Sequence, residues 1–158
     1  MSKLFLMCGV PGSGKTTYIK ENVTPNSVHV SRDAVRFSML NDNDDYFAKE
    51  KEVFKEWIKR IQTALDAGRD VYADATHLNK NSRNKTLSNL NLKNHELHAI
   101  CIITSEETCI LRNLQRKGRE CVPTNVIKDM FNVYTIPYLT EGYLPYKSIT
   151  MVGGGTEY

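Results

Sequence analysis

The sequence has little of what marks a secreted, membrane-embedded or fibrous protein. Only four cysteines occur (Cys8, Cys101, Cys109 and Cys121), with no C-x-x-C pair and no histidine at zinc spacing. They read as free buried thiols, not as a disulfide framework or a metal site. No apolar run approaches the roughly 20 residues needed to cross a bilayer. Lys3 leads into Leu4-Phe5-Leu6-Met7-Cys8 with no small-residue cleavage site behind it. The expectation is a cytoplasmic chain with no membrane partner. Repeats, linkers and low-complexity tracts are missing, and only the tail from Gly153 to Tyr158 reads as flexible. Charge of one sign is also scarce: the net charge is +3. The local excess lies in residues 80–119, where Lys80, Arg83, Lys85, Lys93, Arg112, Arg116, Lys117 and Arg119 face Glu96, Glu106 and Glu107. That suits an anionic partner without proving one.

What is present is an average globular composition, 41% hydrophobic and 25% charged over 158 residues. One domain over 1–158 with one substantial core is expected. Five short apolar runs read as strands: Leu4–Cys8, Val28–Val30, Val71–Ala73, Ala99–Ile103 and Ile149–Val152. Helical patterns lie between them, at Lys15–Glu21, Tyr46–Ala67 and Glu106–Arg116, and after Pro123-Thr124 as a stripe of Ile127, Met130, Phe131 and Tyr134. In the second, Phe47, Phe54, Trp57, Ile58, Ile61 and Leu65 share one face, and Gly68 lies just past the end. Alternating strands and helices predict an α/β fold, a parallel sheet flanked by helices on both faces. Its ligands belong at the carboxyl ends of the strands.

The strongest motif is Gly9-Val10-Pro11-Gly12-Ser13-Gly14-Lys15-Thr16, which satisfies G-x-x-x-x-G-K-[ST] directly after the first strand and at the start of a helix. Its glycines allow an anion nest of backbone N–H groups, and the helix N-terminus adds its dipole. Gly12, Ser13, Gly14, Lys15, Thr16 and Thr17 are thus candidate ATP-binding residues, with Lys15 reaching the β- and γ-phosphates and Thr16 ligating Mg²⁺. GTPase switches, ATPase motors and small kinases share this loop. The chain has no room for a motor's second domain and no N-K-x-D stretch to read guanine. A compact kinase, or a nucleotide-regulated binding module, remains.

Three further blocks bear on the choice. Asp74-Ala75-Thr76-His77-Leu78-Asn79 ends the third strand, where Asp74 can face Mg²⁺ through water and Thr76 can bind an acceptor phosphate; a polar strand cap is the alternative. His77 reads as a local hydrogen-bonding residue and His29 as structural. Arg112 to Glu120 puts Arg112 and Arg116 on one helix face before a break at Gly118. This suits a lid of about residues 112–123, or else a solvated basic face. Ser31-Arg32-Asp33-Ala34-Val35-Arg36 is a helix start capped by Ser31, from which Asp33 and Arg36 project together; Arg32 has no evident role.

Taken together, GVPGSGKT, SRDAVR, DATHLN and RNLQRKGRECVP resemble the kinase domain of the phage and bacterial 5′-hydroxyl polynucleotide kinases, from Lys3 to about Tyr146. The resemblance implies a P-loop kinase fold with a five-stranded parallel sheet and a helical lid. It also implies transfer of the ATP γ-phosphate to the 5′-OH of DNA or RNA. By position, Asp33 is the implied general base, and Arg36, with Thr76 beside it, holds the phosphate 3′ to the acceptor nucleoside. Arg116 is the implied lid arginine on ATP, Arg112 its neighbour, and Val122 an apolar lid residue on the acceptor base. Some members place the carboxylate directly before the threonine, where this chain has Ala75, and asparagine where it has His77. The phosphatase signature D-x-D-x-T is absent, so full end repair would call on a separate phosphatase or ligase. Two other readings stay open. One is a small-molecule P-loop kinase, zeta-toxin-like or acting on nucleosides or antibiotics; the other is an ATP-gated nucleic-acid-binding module.

Overall fold

A computed structural model describes residues 1–153. Five strands, β1 (Lys3–Cys8), β2 (Ser27–Ser31), β3 (Asp70–Asp74), β4 (Glu96–Ile103) and β5 (Ser148–Gly153), form one sheet in the order β2-β3-β1-β4-β5. Every neighbouring pair is parallel. Six helices accompany them: α1 (Lys15–Asn22), α2 (Arg32–Met39), α3 (Glu50–Asp66), α4 (Lys80–Ser88), α5 (Glu106–Leu114) and α6 (Thr124–Val133). The central strands are apolar on both faces because helices cover both: Leu4, Leu6, Met7 and Cys8 of β1 are all fully buried.

The larger core joins β1 and β3 to α3, which buries Val53, Trp57, Ile61 and Leu65 at four-residue spacing. Trp57 satisfies its indole N–H on Val30 O (2.9 Å), tying α3 to β2. Past the helix end Gly68 takes φ +83, and its N–H bonds Leu65 O while Arg69 N bonds Ala64 O. A second cluster, built on Met7, Ile19, Tyr72, Ile100 and Ile102, lies under α1. Cys8, Cys101 and Cys109 are buried and Cys121 is half-buried.

Several expectations need correction. The helix expected from Tyr46 starts at Glu50; residues before it form turns, and Phe47, expected on the buried stripe, is 66% exposed. The helix expected through Arg116 ends at Leu114, so Arg116 lies beyond it and shares no helix face with Arg112. The break at Gly118 (φ +61) is instead the start of a 3-10 turn, Gly118–Glu120. Gly153 closes β5 and is not tail; the rest of the expected flexible tail lies outside the described residues. Helix α4 was not foreseen, because KNSRNKTLS has almost no apolar face. What starts it is a capping box, with Asn79 accepting from Ser82 N (3.0 Å) and Ser82 accepting from Asn79 N (3.1 Å).

Candidate active site

The loops after β1, β2 and β3 meet at the carboxyl edge of the sheet. After β1, Gly12 and Gly14 take φ +82 and +110, which only glycine adopts without strain. A Cβ on Gly12 would stand 2.7 Å from Cys109 O, so the loop also needs glycine to lie against α5. Ser13 N closes the turn on Val10 O (3.1 Å), and Gly9 N is held by Thr76 O (2.9 Å), the first link between the β1 and β3 edges. Lys15 folds back, its Nζ donating to Gly9 O (2.6 Å) and Val10 O (3.2 Å). Burial lowers its pKa. Asp74 and Asp33 oppose that shift and Arg116 adds to it, so each of these three charges lies within electrostatic reach of Lys15.

Asp74 ends β3 beside Ser31 of β2 and is nearly buried; His29 Nε2 lies 2.8 Å from its Oδ2. His29 is thus a partner of Asp74, a pairing its alternation in a strand did not reveal. His77, at φ +43, is fully inside: Nδ1 lies 2.6 Å from Met7 O and Nε2 2.9 Å from Thr86 Oγ1. A carbonyl only accepts, so Nδ1 carries the proton and Nε2 accepts from threonine. Burial pushes the pKa of this ring down to about 4. The local bonding role expected for His77 is what the geometry gives, and through Met7 O it braces the strand that leads into the phosphate loop.

After β2, Ser31 caps α2 as expected, accepting from Ala34 N (3.1 Å). Asp33 and Arg36 project together and pair with one another. Arg36 is almost fully buried, its Nη2 held by both oxygens of Glu50 (2.8 and 2.7 Å). Arg32 also reaches Glu50, at 2.5 Å, which supplies the role its sequence context lacked. Arg36 Nε is buried with no acceptor among the described residues. Tyr46 and Glu50 were both missed as site residues. Neither lies in a motif, and their contacts to Arg36 span ten and fourteen residues, beyond local spacing rules.

On the lid side, Arg112 Nη1 donates to Gly12 O (3.2 Å), so its contact is with the phosphate loop backbone. Arg116 is exposed. Arg119 bridges to the other wall, donating to Asn41 O (3.2 Å) and Asp44 O (2.7 Å) with its guanidinium 5.7 Å from the Phe37 ring. Val122 is tied to α5 by a reciprocal pair with Asn113 (2.9 and 2.5 Å) and packs against the small core of Val10, Cys109 and Ile127. Thr76 is half-buried beside the loop, and Thr16 and Thr17 are exposed on the first turn of α1.

The residues of the loop fit the phosphates of a nucleotide. Ser13 Oγ is buried in the phosphate loop with no partner among the described residues. No group of three carboxylate, histidine or cysteine side chains able to hold a metal ion occurs among the described residues.

Fold and loop together define the class: a P-loop nucleotide-binding domain of the kinase type. Residues 4–137 match the family model AAA_33, described as an AAA domain, and the chain belongs to that family. It is 25% identical over 157 residues to the "Putative bifunctional polynucleotide kinase/RNA ligase" of Autographa californica nuclear polyhedrosis virus, covering 90% of this chain and 22% of that protein. Among solved structures, a putative kinase from Chloroflexus aurantiacus is 16% identical over 99% of this chain and 90% of its own, with a TM-score of 0.70. A chain of the Pnkp1/Rnl/Hen1 complex is 20% identical, covering 93% and 46%, with a TM-score of 0.64. A sugar kinase from Janibacter sp. HTCC2649 is 16% identical, covering 98% and 86%, with a TM-score of 0.60. The chain thus spans about a fifth of the viral relative, 22%, and the P-loop kinase fold is shared with enzymes of different acceptors.

Proposed function

We propose that this chain is an ATP-dependent polynucleotide 5′-hydroxyl kinase that phosphorylates the 5′-OH end of DNA or RNA. The observation that carries this reading is the Asp33–Arg36 pair at the start of α2, with Asp33 within electrostatic reach of Lys15 of the phosphate loop. Arg36 gives a phosphate 3′ to the acceptor nucleoside a positive counter-charge, an interaction that a bare sugar or nucleoside lacks. The motif resemblance and the viral polynucleotide kinase/RNA ligase relative support the same substrate.

In this mechanism Gly12, Ser13, Gly14, Lys15 and Thr17 bind the ATP phosphates, and Thr16 would hold Mg²⁺, with Asp74 acting through water. The ion would offset negative charge on the phosphates during transfer. Asp33 accepts a hydrogen bond from the 5′-OH and takes its proton as the oxygen bonds to the γ-phosphorus and the bond to the β–γ bridging oxygen breaks. Arg116, joined by Arg112, offsets charge on the transferring group. Thr76 contacts the acceptor phosphate, and Val122 packs on its base. A ligase or phosphatase acting on the same ends is a separate protein or domain.

The test is incubation with Mg²⁺ and γ-labelled ATP, offering in parallel a 5′-OH oligonucleotide, a 3′-phosphorylated nucleoside, a bare nucleoside and gluconate. Label is expected on the first two. Label on the bare nucleoside or gluconate alone would establish a small-molecule kinase instead. Asp33→Asn should keep both ligands bound while turnover falls at least a hundredfold, on the order expected for a lost general base. Arg36→Ala should weaken the 3′-phosphorylated acceptor while sparing ATP.

A further inference from the structure

Asp33 and Arg36 meet a third group that the motifs did not single out. Tyr46, in the segment between α2 and α3, donates its hydroxyl proton to Asp33 Oδ1 (2.5 Å) and accepts from Arg36 Nη1 (2.7 Å). Arg36 Nη1 also donates to the same Oδ1, which closes a three-membered ring of hydrogen bonds. The tyrosine ring lies under the Arg36 guanidinium at 4.1 Å and packs edge-on against Phe37 (5.9 Å) and Phe47 (4.7 Å). Burial, then the Asp33 charge, pushes the phenol's pKa up. Tyr46 therefore stays protonated and serves as a donor, not as a base.

The ring of bonds divides the Asp33 carboxylate into two unequal oxygens. Oδ1 receives both donors, and among the described residues Oδ2 receives none, on a side chain that is 54% exposed. A carboxylate beside an arginine ordinarily turns to meet two N–H groups with its two oxygens. Here Glu50 occupies the Nη2 edge, and the tyrosine hydroxyl shares Nη1, so the pair is held at a single oxygen. We propose that Tyr46 is a positioning residue for phosphoryl transfer: its hydroxyl fixes the Asp33 carboxylate so that Oδ2 is kept open for the acceptor's hydroxyl. The proposal rests on Asp33 receiving the acceptor proton, as above, and holds for any alcohol acceptor. In the step itself the proton passes from the acceptor oxygen to Oδ2, while Oδ1 stays bonded to tyrosine and arginine. Without the phenol, Asp33 can swing about its last torsion and turn Oδ2 toward Arg36 Nη1 as well, away from the acceptor.

Tyr46→Phe removes the hydroxyl and keeps the ring. Single-turnover transfer at saturating ATP and acceptor should fall about tenfold, or ~1.4 kcal/mol, with both KM values within twofold of wild type. Phe47→Leu, in the same ring cluster without a bond to Asp33, should stay within twofold in rate. Should Tyr46→Phe fail to fold, Tyr46→Gln, whose amide can donate to the same oxygen, should retain more of the rate than Tyr46→Leu. An unchanged rate in Tyr46→Phe, a loss confined to KM, or equal losses in the Gln and Leu variants would overturn the proposal. The acceptor is whichever alcohol wild type labels. If that is only a small molecule, the polynucleotide reading fails, and the Tyr46 comparison stands or falls on that alcohol by the same criteria.

Discussion

His77 makes stability depend on pH in a way that can be calculated and isolated. Its ring is buried, donates to Met7 O and accepts from Thr86, and its pKa is lowered from the ordinary 6.5 to about 4, chiefly by burial. Above pH 6.5 the ring is neutral whether the chain is folded or not, and the full stability is present. As pH falls below 6.5 the unfolded chain takes up the proton first, so stability drops until the folded ring also titrates near pH 4. The loss from this group is about 2 kcal/mol at pH 5 and about 3 kcal/mol below pH 4. Carboxylates titrate in part of the same range, so the group is isolated by difference. His77→Asn tolerates the left-handed backbone and can still donate to Met7 O. It will differ from wild type at pH 7 through the lost Thr86 bond, but that offset is constant. Urea unfolding of both proteins at pH 7, 5.5 and 4.5 is the measurement, with the gap between them closing in the mutant's favour as pH falls. Parallel curves, with the gap constant within about 0.5 kcal/mol, would refute the assignment of a neutral buried imidazole.

Two further expectations concern the loop and its support. Gly12→Ala puts a side chain at φ +82 and a Cβ 2.7 Å from the Cys109 carbonyl. The left-handed backbone alone costs roughly 1–2 kcal/mol, and α5 must also shift, so calorimetry should show ATP affinity reduced at least tenfold; unchanged affinity would mean the loop tolerates a different shape. Glu141→Gln breaks the buried pair in which both carboxylate oxygens meet Arg83 Nε (2.9 and 3.0 Å). Leaving that guanidinium without its counter-charge should lower unfolding stability by about 3–5 kcal/mol, read by denaturation at neutral pH, and a loss under about 1 kcal/mol would show that Arg83's bonds to His77 O and Thr135 suffice.

Much of the fold was legible because it rests on local rules. Strand positions followed from short apolar runs, the parallel sheet from their alternation with helices, and the phosphate loop from glycines at fixed offsets between β1 and α1. Errors came where local rules are silent. Helix α4 has a polar composition and stands on its capping box and on Arg83, whose partners include Glu141 and Thr135, more than fifty residues away. Helix α5 stops at Leu114, and Asn113 is turned to Val122; sequence periodicity alone carried the helix on to Arg116.

The candidate site divides the same way. Sequence alone pointed to the phosphate loop, and its blocks, with the resemblance they carry, made Asp33, Arg36, Asp74 and Arg116 the candidates. Tertiary structure decided who partners them. His29 joins Asp74 across neighbouring strands, Glu50 joins Arg32 and Arg36 from the start of α3, and Tyr46 reaches Asp33 across thirteen residues. Spacing rules reach one helical turn or one strand alternation. A hydrogen bond between loops depends on how the whole sheet and its helices set those loops side by side.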